Sequence, residues 1–102
     1  HSCSLSAGGA IRYFCEDIGR HNALDKVIGM ALMDGVELST ALAYASGRVP
    51  IEMVEKAIRS RIPVLISKSL PTAEAVKMAK KFNLTLICLA KPQNLLVFTD
   101  GA

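Results

Sequence analysis

Tryptophan is absent from this chain, and aromatic residues make up only 5% of it. Proteins that stack nucleobases on aromatic rings need more than that, so an RNA-reading platform is not expected. Long apolar runs are also missing. Those present are short, such as the one that includes Ile28 to Met33, whereas a membrane-spanning helix needs roughly 20. No charged start followed by an apolar stretch marks a signal peptide. Neither sign of charge dominates: 12 basic and 9 acidic residues leave +3 at pH 7. That admits an anionic ligand but lacks the dense basic stripe of a nucleic-acid binder. Neither nucleic acid nor membrane is therefore expected among the partners. The three cysteines, Cys3, Cys15 and Cys88, form no CxxC pair and no metal-ligand spacing. His1 and Cys3 find no second His/Cys pair to complete a zinc site, so no metal is expected. Each cysteine lies in an apolar or strand-like stretch, where a free thiol acts as a small buried hydrophobe. This usage suits a reducing compartment, the cytoplasm.

What remains is an apolar chain of ordinary globular make-up. Hydrophobic residues are 51% of 102 residues and charged ones 21%, which suits one compact domain. The chain has no starting Met and opens in what reads as a strand, so a fragment of a longer protein is expected. His1 to Leu5 and Ile11 to Cys15 read as strands joined at Ala7-Gly8-Gly9, a hairpin. A helical stripe follows at Ala23, Leu24, Val27, Ile28, Ala31 and Leu32, with Asn22 as its N-cap and Asp34-Gly35 as its end. Leu42 to Ala45, Pro63 to Ile66, Leu84 to Leu89 and Leu95 to Phe98 read as further strands. Between them lie two more helices. One starts at Pro50 with a core face of Ile51, Val54, Ala57 and Ile58; the other is capped by Thr72, carries Ala75, Val76, Ala79 and Phe82, and ends at Asn83. Alternating apolar strands and amphipathic helices call for a sheet covered on both faces. The prediction is a three-layer α/β/α sandwich on a mixed sheet, its middle strands parallel and its leading hairpin antiparallel.

In open parallel sheets, ligands bind beyond the carboxyl ends of the strands. Three strand-to-helix junctions converge on that edge: Glu16 to Asn22, Ser46-Gly47-Arg48, and Ser67-Lys68-Ser69 running on to Thr72. Each is short, polar and cationic, and each leads into a helix N-terminus, which favours anions. Lys91 follows the last middle strand. Arg20, Arg48, Lys68 and Lys91 thus gather beside three helix starts, an arrangement suited to a phosphate or diphosphate; ordinary capped and solvated loops would show the same pattern. In the first junction, the two acids Glu16 and Asp17 with Arg20, His21 and Asn22 could hold a polar ligand or do acid–base work. Alternatively they belong to a solvated helix cap, with Asp25 supporting the helix dipole and pairing with His21 at i+4. For Asp25 and Lys26 that second reading is the expectation. Cys15 and Cys88 fall on core strands, away from the exposed, electropositive setting of a reactive thiol.

The run Glu16-Asp17-Ile18-Gly19-Arg20-His21-Asn22-Ala23-Leu24-Asp25-Lys26-Val27-Ile28-Gly29 resembles the signature of the formate dehydrogenase accessory proteins, the FdhD sulfur carriers. The resemblance continues through Ser46-Gly47-Arg48 with Glu52-Met53-Val54 and Lys56-Ala57, then Ile62 to Leu65 with Ser67, Ser69 and Pro71-Thr72, to Leu84 through Thr99. It covers essentially the whole chain. It implies a cytoplasmic, usually homodimeric protein of cytidine deaminase-like fold, with a sulfurtransferase-type role. Such a protein takes sulfur from a cysteine desulfurase and passes it to the molybdenum cofactor of formate dehydrogenase. It binds the bis-molybdopterin guanine dinucleotide, of which GDP is a partial mimic. The family's persulfide cysteine belongs to an upstream CxxC loop, so none of the three cysteines inherits that role. Residues 1–102 then form the C-terminal cofactor-binding part, with no catalytic residue assigned. The family's cofactor segment corresponds to Leu89, Ala90, Lys91, Pro92, Gln93 and Asn94, where Lys91 and Asn94 stand at common arginine positions and lack arginine's planar fork. The implied contacts are these six residues with Arg20, His21, Asn22, Ser46, Gly47, Arg48, Ser67, Lys68 and Ser69. Two other readings are an interaction or dimerisation module docking on formate dehydrogenase, and a zinc deaminase-like hydrolase. The second lacks the H-x-E and P-C-x-x-C ligands of that chemistry.

Overall fold

The structure, a computed structural model, describes residues 1–8, 10–91, 94–99 and 101, with the side chains of residues 20, 21, 89–91 and 94–96 outside the description. Ten elements follow one another. They are β1 (Ser2–Ala7), β2 (Ala10–Glu16), α1 (Arg20–Met33), a short 3-10 turn (Leu38–Thr40), β3 (Leu42–Ala45), α2 (Ile51–Arg59), β4 (Val64–Ser67), α3 (Ala73–Lys81), β5 (Thr85–Lys91) and β6 (Asn94–Thr99). The element order is the one the periodicities predict. The six strands form one mixed sheet in the order β2-β1-β3-β4-β5-β6. β3, β4 and β5 are parallel; β1 runs against both β2 and β3, and β6 runs against β5.

Helix ends differ from the sequence reading by one to three residues. α1 begins at Arg20 with Gly19 as N-cap, so Asn22 lies within its first turn instead of capping it. Pro50 is the N-cap of α2, so that helix begins at Ile51, one residue later than expected. Thr72 does cap α3, its hydroxyl oxygen accepting the Ala75 N–H at 3.2 Å. All three helices stop in the same way. Gly35, Arg61 and Asn83 take left-handed φ values of 72°, 62° and 57°. In each case the next residue reaches back to close the last turn: Val36 to Ala31, Ile62 to Ala57, Leu84 to Ala79, at 3.0, 2.9 and 2.9 Å. An alanine is thus met by a branched apolar residue at every helix end.

One core holds the molecule together. Cys3, Leu5, Ala43, Ala45, Leu65 and Leu86 on the sheet meet Leu24 and Val27 of α1, Met53 and Val54 of α2, and Ala75 and Ala79 of α3 in a single cluster. The register places those sheet residues on one face: Cys3 opposite Ala45, Leu5 opposite Ala43, Ala43 beside Leu65, and Leu65 beside Leu86. All three helices pack there, so these residues build two layers where the alternation of elements predicts three. The reason is topological. The crossovers β2 to β3, β3 to β4 and β4 to β5 all step the same way across the sheet, and right-handed crossovers that never reverse direction leave their helices on one side. The opposite face carries Phe14, Leu42, Tyr44, Val64, Ile66, Ile87 and Val97, none of them fully buried. Two predicted core positions also come out of the core. Leu32 is 60% exposed and Phe82 51%, because each sits in the last turn of its helix or just beyond it, where the stripe has rotated off the sheet.

Candidate phosphate-binding rim

β2, β3, β4 and β5 point the same way, so the β2–α1, β3–α2 and β4–α3 junctions share one edge of the sheet. The chain ties these junctions to one another. In the first, Asp17 Oδ1 accepts the Gly19 N–H at 2.9 Å and Oδ2 takes the Lys26 ammonium at 2.6 Å. The lysine hydrogen bond and the Gly19 amide pull the Asp17 carboxyl down to about 2, and the same pairing raises Lys26. Asn22 lies over Gly19: a β-carbon there would come within 3.2 Å of its side-chain nitrogen. Ile18, at the tip, is 96% exposed. The turn is therefore a fixed loop with an apolar tip. Lys26, expected to be merely solvated, is one of its clamps. Asp25 does not serve a cap, because the helix starts five residues before it; its carboxylate takes Lys56 of α2 at 2.8 Å. The His21 side chain lies outside the described residues.

The second junction is stitched to β1. Ser46 donates its N–H to the Ser2 carbonyl at 3.0 Å and accepts the Ser2 N–H on its hydroxyl at 2.8 Å. The third is stitched to the second. Ser67 is 1% exposed, donates its hydroxyl to the Gly47 carbonyl at 2.8 Å and accepts the Ser69 N–H at 3.0 Å. Lys68 N–H reaches the Ala45 carbonyl, and Thr72 N–H the Val49 carbonyl, both at 3.1 Å. The Cys88 thiol, buried and pushed up by desolvation, donates to the Ser69 carbonyl at 3.0 Å. A continuous series of contacts thus runs from β1 to β5.

This arrangement separates the predicted site residues by role. Ser46 and Ser67 spend their hydroxyls on the protein and position the loops. Arg48 and Lys68 project to solvent from adjacent junctions, and neither forms an ion pair among the described residues. The backbone of Arg20, His21 and Asn22 forms the first turn of α1 at the same edge. The backbone of Leu89, Ala90, Lys91 and Asn94 belongs to the β5–β6 hairpin. Ser67, the end of β4, pairs with Cys88, so Lys91 stands three residues further out, about 10 Å past that edge at the rise of a strand. Pro92 and Gln93 lie outside the described residues. Asp17 was missing from the predicted contacts; its signal was an acid two residues before a glycine, the pattern of a side chain that closes its own turn.

A mixed sheet with helices on one face and three strand-to-helix turns carrying basic residues on one edge defines an α/β domain. The comparisons with known proteins make this specific. The FdhD/NarQ family profile matches residues 1–102, the whole chain, and the chain belongs to that family. It is 43% identical over 102 residues to the sulfur carrier protein FdhD of Thermoplasma volcanium, and 44% identical over 88 residues to the protein FdhD of Methanocaldococcus jannaschii. These alignments take in 99% and 86% of this chain but 37% and 39% of those relatives. A crystal structure from Desulfotalea psychrophila, assigned as a formate dehydrogenase accessory protein, superposes with a TM-score of 0.87 at 35% identity. That superposition covers 96% of this chain and 44% of the other.

Proposed function

We propose that this domain is the cofactor-binding part of an FdhD sulfur carrier. In that role it holds the guanosine diphosphate end of the bis-molybdopterin guanine dinucleotide, while sulfur passes from a cysteine desulfurase to the molybdenum cofactor of formate dehydrogenase. The observation that carries the reading is the shared edge: Arg48 and Lys68 stand on adjacent, mutually bonded turns, beside the start of α1 and ahead of the starts of α2 and α3. Two phosphates need several donors and cations from one direction, and this edge supplies them. The fit is to the nucleotide end. Cys3 and Cys88 are buried, and Cys3 lies opposite the half-buried Cys15 across the β1–β2 pairing, so the described residues show no exposed pair of thiols. A homodimer, a cytoplasmic setting and a third layer completing a cytidine deaminase-like sandwich belong to the same proposal. The open sheet face, together with the length of the relatives beyond the matched region, supports the last of these.

Isothermal calorimetry with GDP tests the reading. Binding in the micromolar range is expected, weakened by added salt because cations neutralise the phosphates. Arg48→Ala, Lys68→Ala and Lys91→Ala should each weaken it further. A folded sample that releases no heat with GDP contradicts the proposal. A zinc hydrolase is disfavoured by the ligands it lacks, and among the described residues no three His, Cys, Asp or Glu side chains are grouped to hold a metal.

A further inference from the structure

Gly47 is a glycine for a reason its own backbone does not supply. Its φ lies outside the left-handed region, so any residue could adopt the conformation. What the position lacks is room. A β-carbon there would stand 2.8 Å from Nδ1 of His1, closer than real β-carbons approach, and 3.3 Å from Cε1. The space that a side chain would fill is taken by the His1 ring. The main chain around His1 is held as well: its carbonyl accepts the Asp17 N–H at 2.9 Å, and Ser2 and Ser46 exchange hydrogen bonds at 2.8 and 3.0 Å. The imidazole is exposed and rests against a neighbour that has no side chain. It lies between the β2–α1 turn and the β3–α2 turn, next to the residue that precedes Arg48. The Nδ1–Cε1 edge faces Gly47, which leaves Nε2 as the ring nitrogen farther from it.

We infer that His1 is a ligand-contacting residue of this rim, seated on Gly47 so that its outer ring nitrogen meets a phosphate oxygen of the nucleotide. The inference rests on the reading of the rim as a diphosphate site. An imidazole can donate an N–H to a phosphate oxygen as its neutral Nε2–H tautomer or as the cation. Seated beside Arg48, it would extend the donor set from the middle strands onto β1. Gly47 then has a double role: its carbonyl anchors Ser67, and its missing side chain leaves room for the ring.

The test titrates GDP, and guanosine as the phosphate-free control, into the purified protein. Calorimetry reads affinity, and proton NMR reads the imidazole signals, with His1→Ala identifying those of His1. GDP should shift the His1 ring signals and guanosine should not. His1→Ala should weaken GDP binding about tenfold, the size expected for one hydrogen bond to a charged group. Gly47→Ala should weaken it as well by displacing the ring. The double variant should bind no worse than His1→Ala, since without the ring the new methyl meets nothing. GDP binding that leaves the His1 signals unmoved, or losses that add in the double variant, overturns the inference and leaves the nucleotide reading standing. No GDP binding by the unaltered protein overturns the nucleotide reading, and this inference with it.

Discussion

Asp17 acts on the rim through its neighbours. One carboxylate oxygen closes its own turn on Gly19 and the other holds Lys26 from the second turn of α1. The low carboxyl value has a consequence for stability. Its folded value is about 2 against an ordinary 3.8, so the folded state favours the ionised form. That contribution is present above the unfolded value and is lost as pH falls through the folded one. Asp17→Asn should therefore lower the melting temperature near neutral pH. The gap between variant and parent should close as pH falls from about 4 to about 2, the window set by those two values. Thermal unfolding followed by circular dichroism across that range measures it, and a gap that stays constant with pH contradicts the assignment. Among the serines the distribution of roles is also decided residue by residue: Ser67, buried with both its donor and acceptor used inside the protein, is a staple between two turns.

At the scale of the element, caps and left-handed stops set where each helix meets the rim. Among the described residues, Thr72 is the one helix N-cap with a side-chain hydrogen bond. Thr72→Ala should cost about 1 kcal/mol, seen as a melting temperature about 5 °C lower in a domain of this size. A variant that melts with the parent would show that the cap contributes nothing. The helix ends were legible in part. Asp34-Gly35 and Asn83 announce left-handed stops, because glycine and asparagine tolerate positive φ. Arg61 announces nothing, yet it adopts the same conformation: Ile62 must return to the core beneath Ala57, and burial of that isoleucine outweighs the local cost. The helix starts were less legible. Gly19 caps α1 without offering a side chain, so the eye passes on to Asn22.

For the whole molecule, the decisive feature is a sheet covered on one side. Ile11, Phe14 and Val97 are 70%, 58% and 53% exposed, and Leu42, Tyr44, Val64, Ile66 and Ile87 lie half-buried. A contiguous exposed apolar area of this kind marks an interaction surface. The 102-residue chain by itself should bind a hydrophobic dye such as ANS while keeping its circular dichroism spectrum. Phe14→Ser with Val97→Ser should reduce that fluorescence several-fold without loss of helix content. A chain that folds and leaves the dye dark would mean that the face is not available as drawn.

Periodicity and punctuation were enough to name six strands, three helices, their order and the direction of the central strands, because those are local properties of a chain with clear apolar stripes. They were enough, too, to bring three basic turns to one edge, since parallel strands with helical crossovers allow no other place for them. The same stripes could not say on which side of the sheet each helix would lie. That depends on the direction in which successive crossovers step, and strand order is a long-range matter of pairing. Nor could they reveal that Lys26 holds Asp17, that Lys56 and not the helix end takes Asp25, or that Gly47 makes room for His1. Asp17 and Lys26 meet because the β2–α1 turn folds back on its own helix, whereas the other two pairs join distant parts of the chain that the packing around one core brings together.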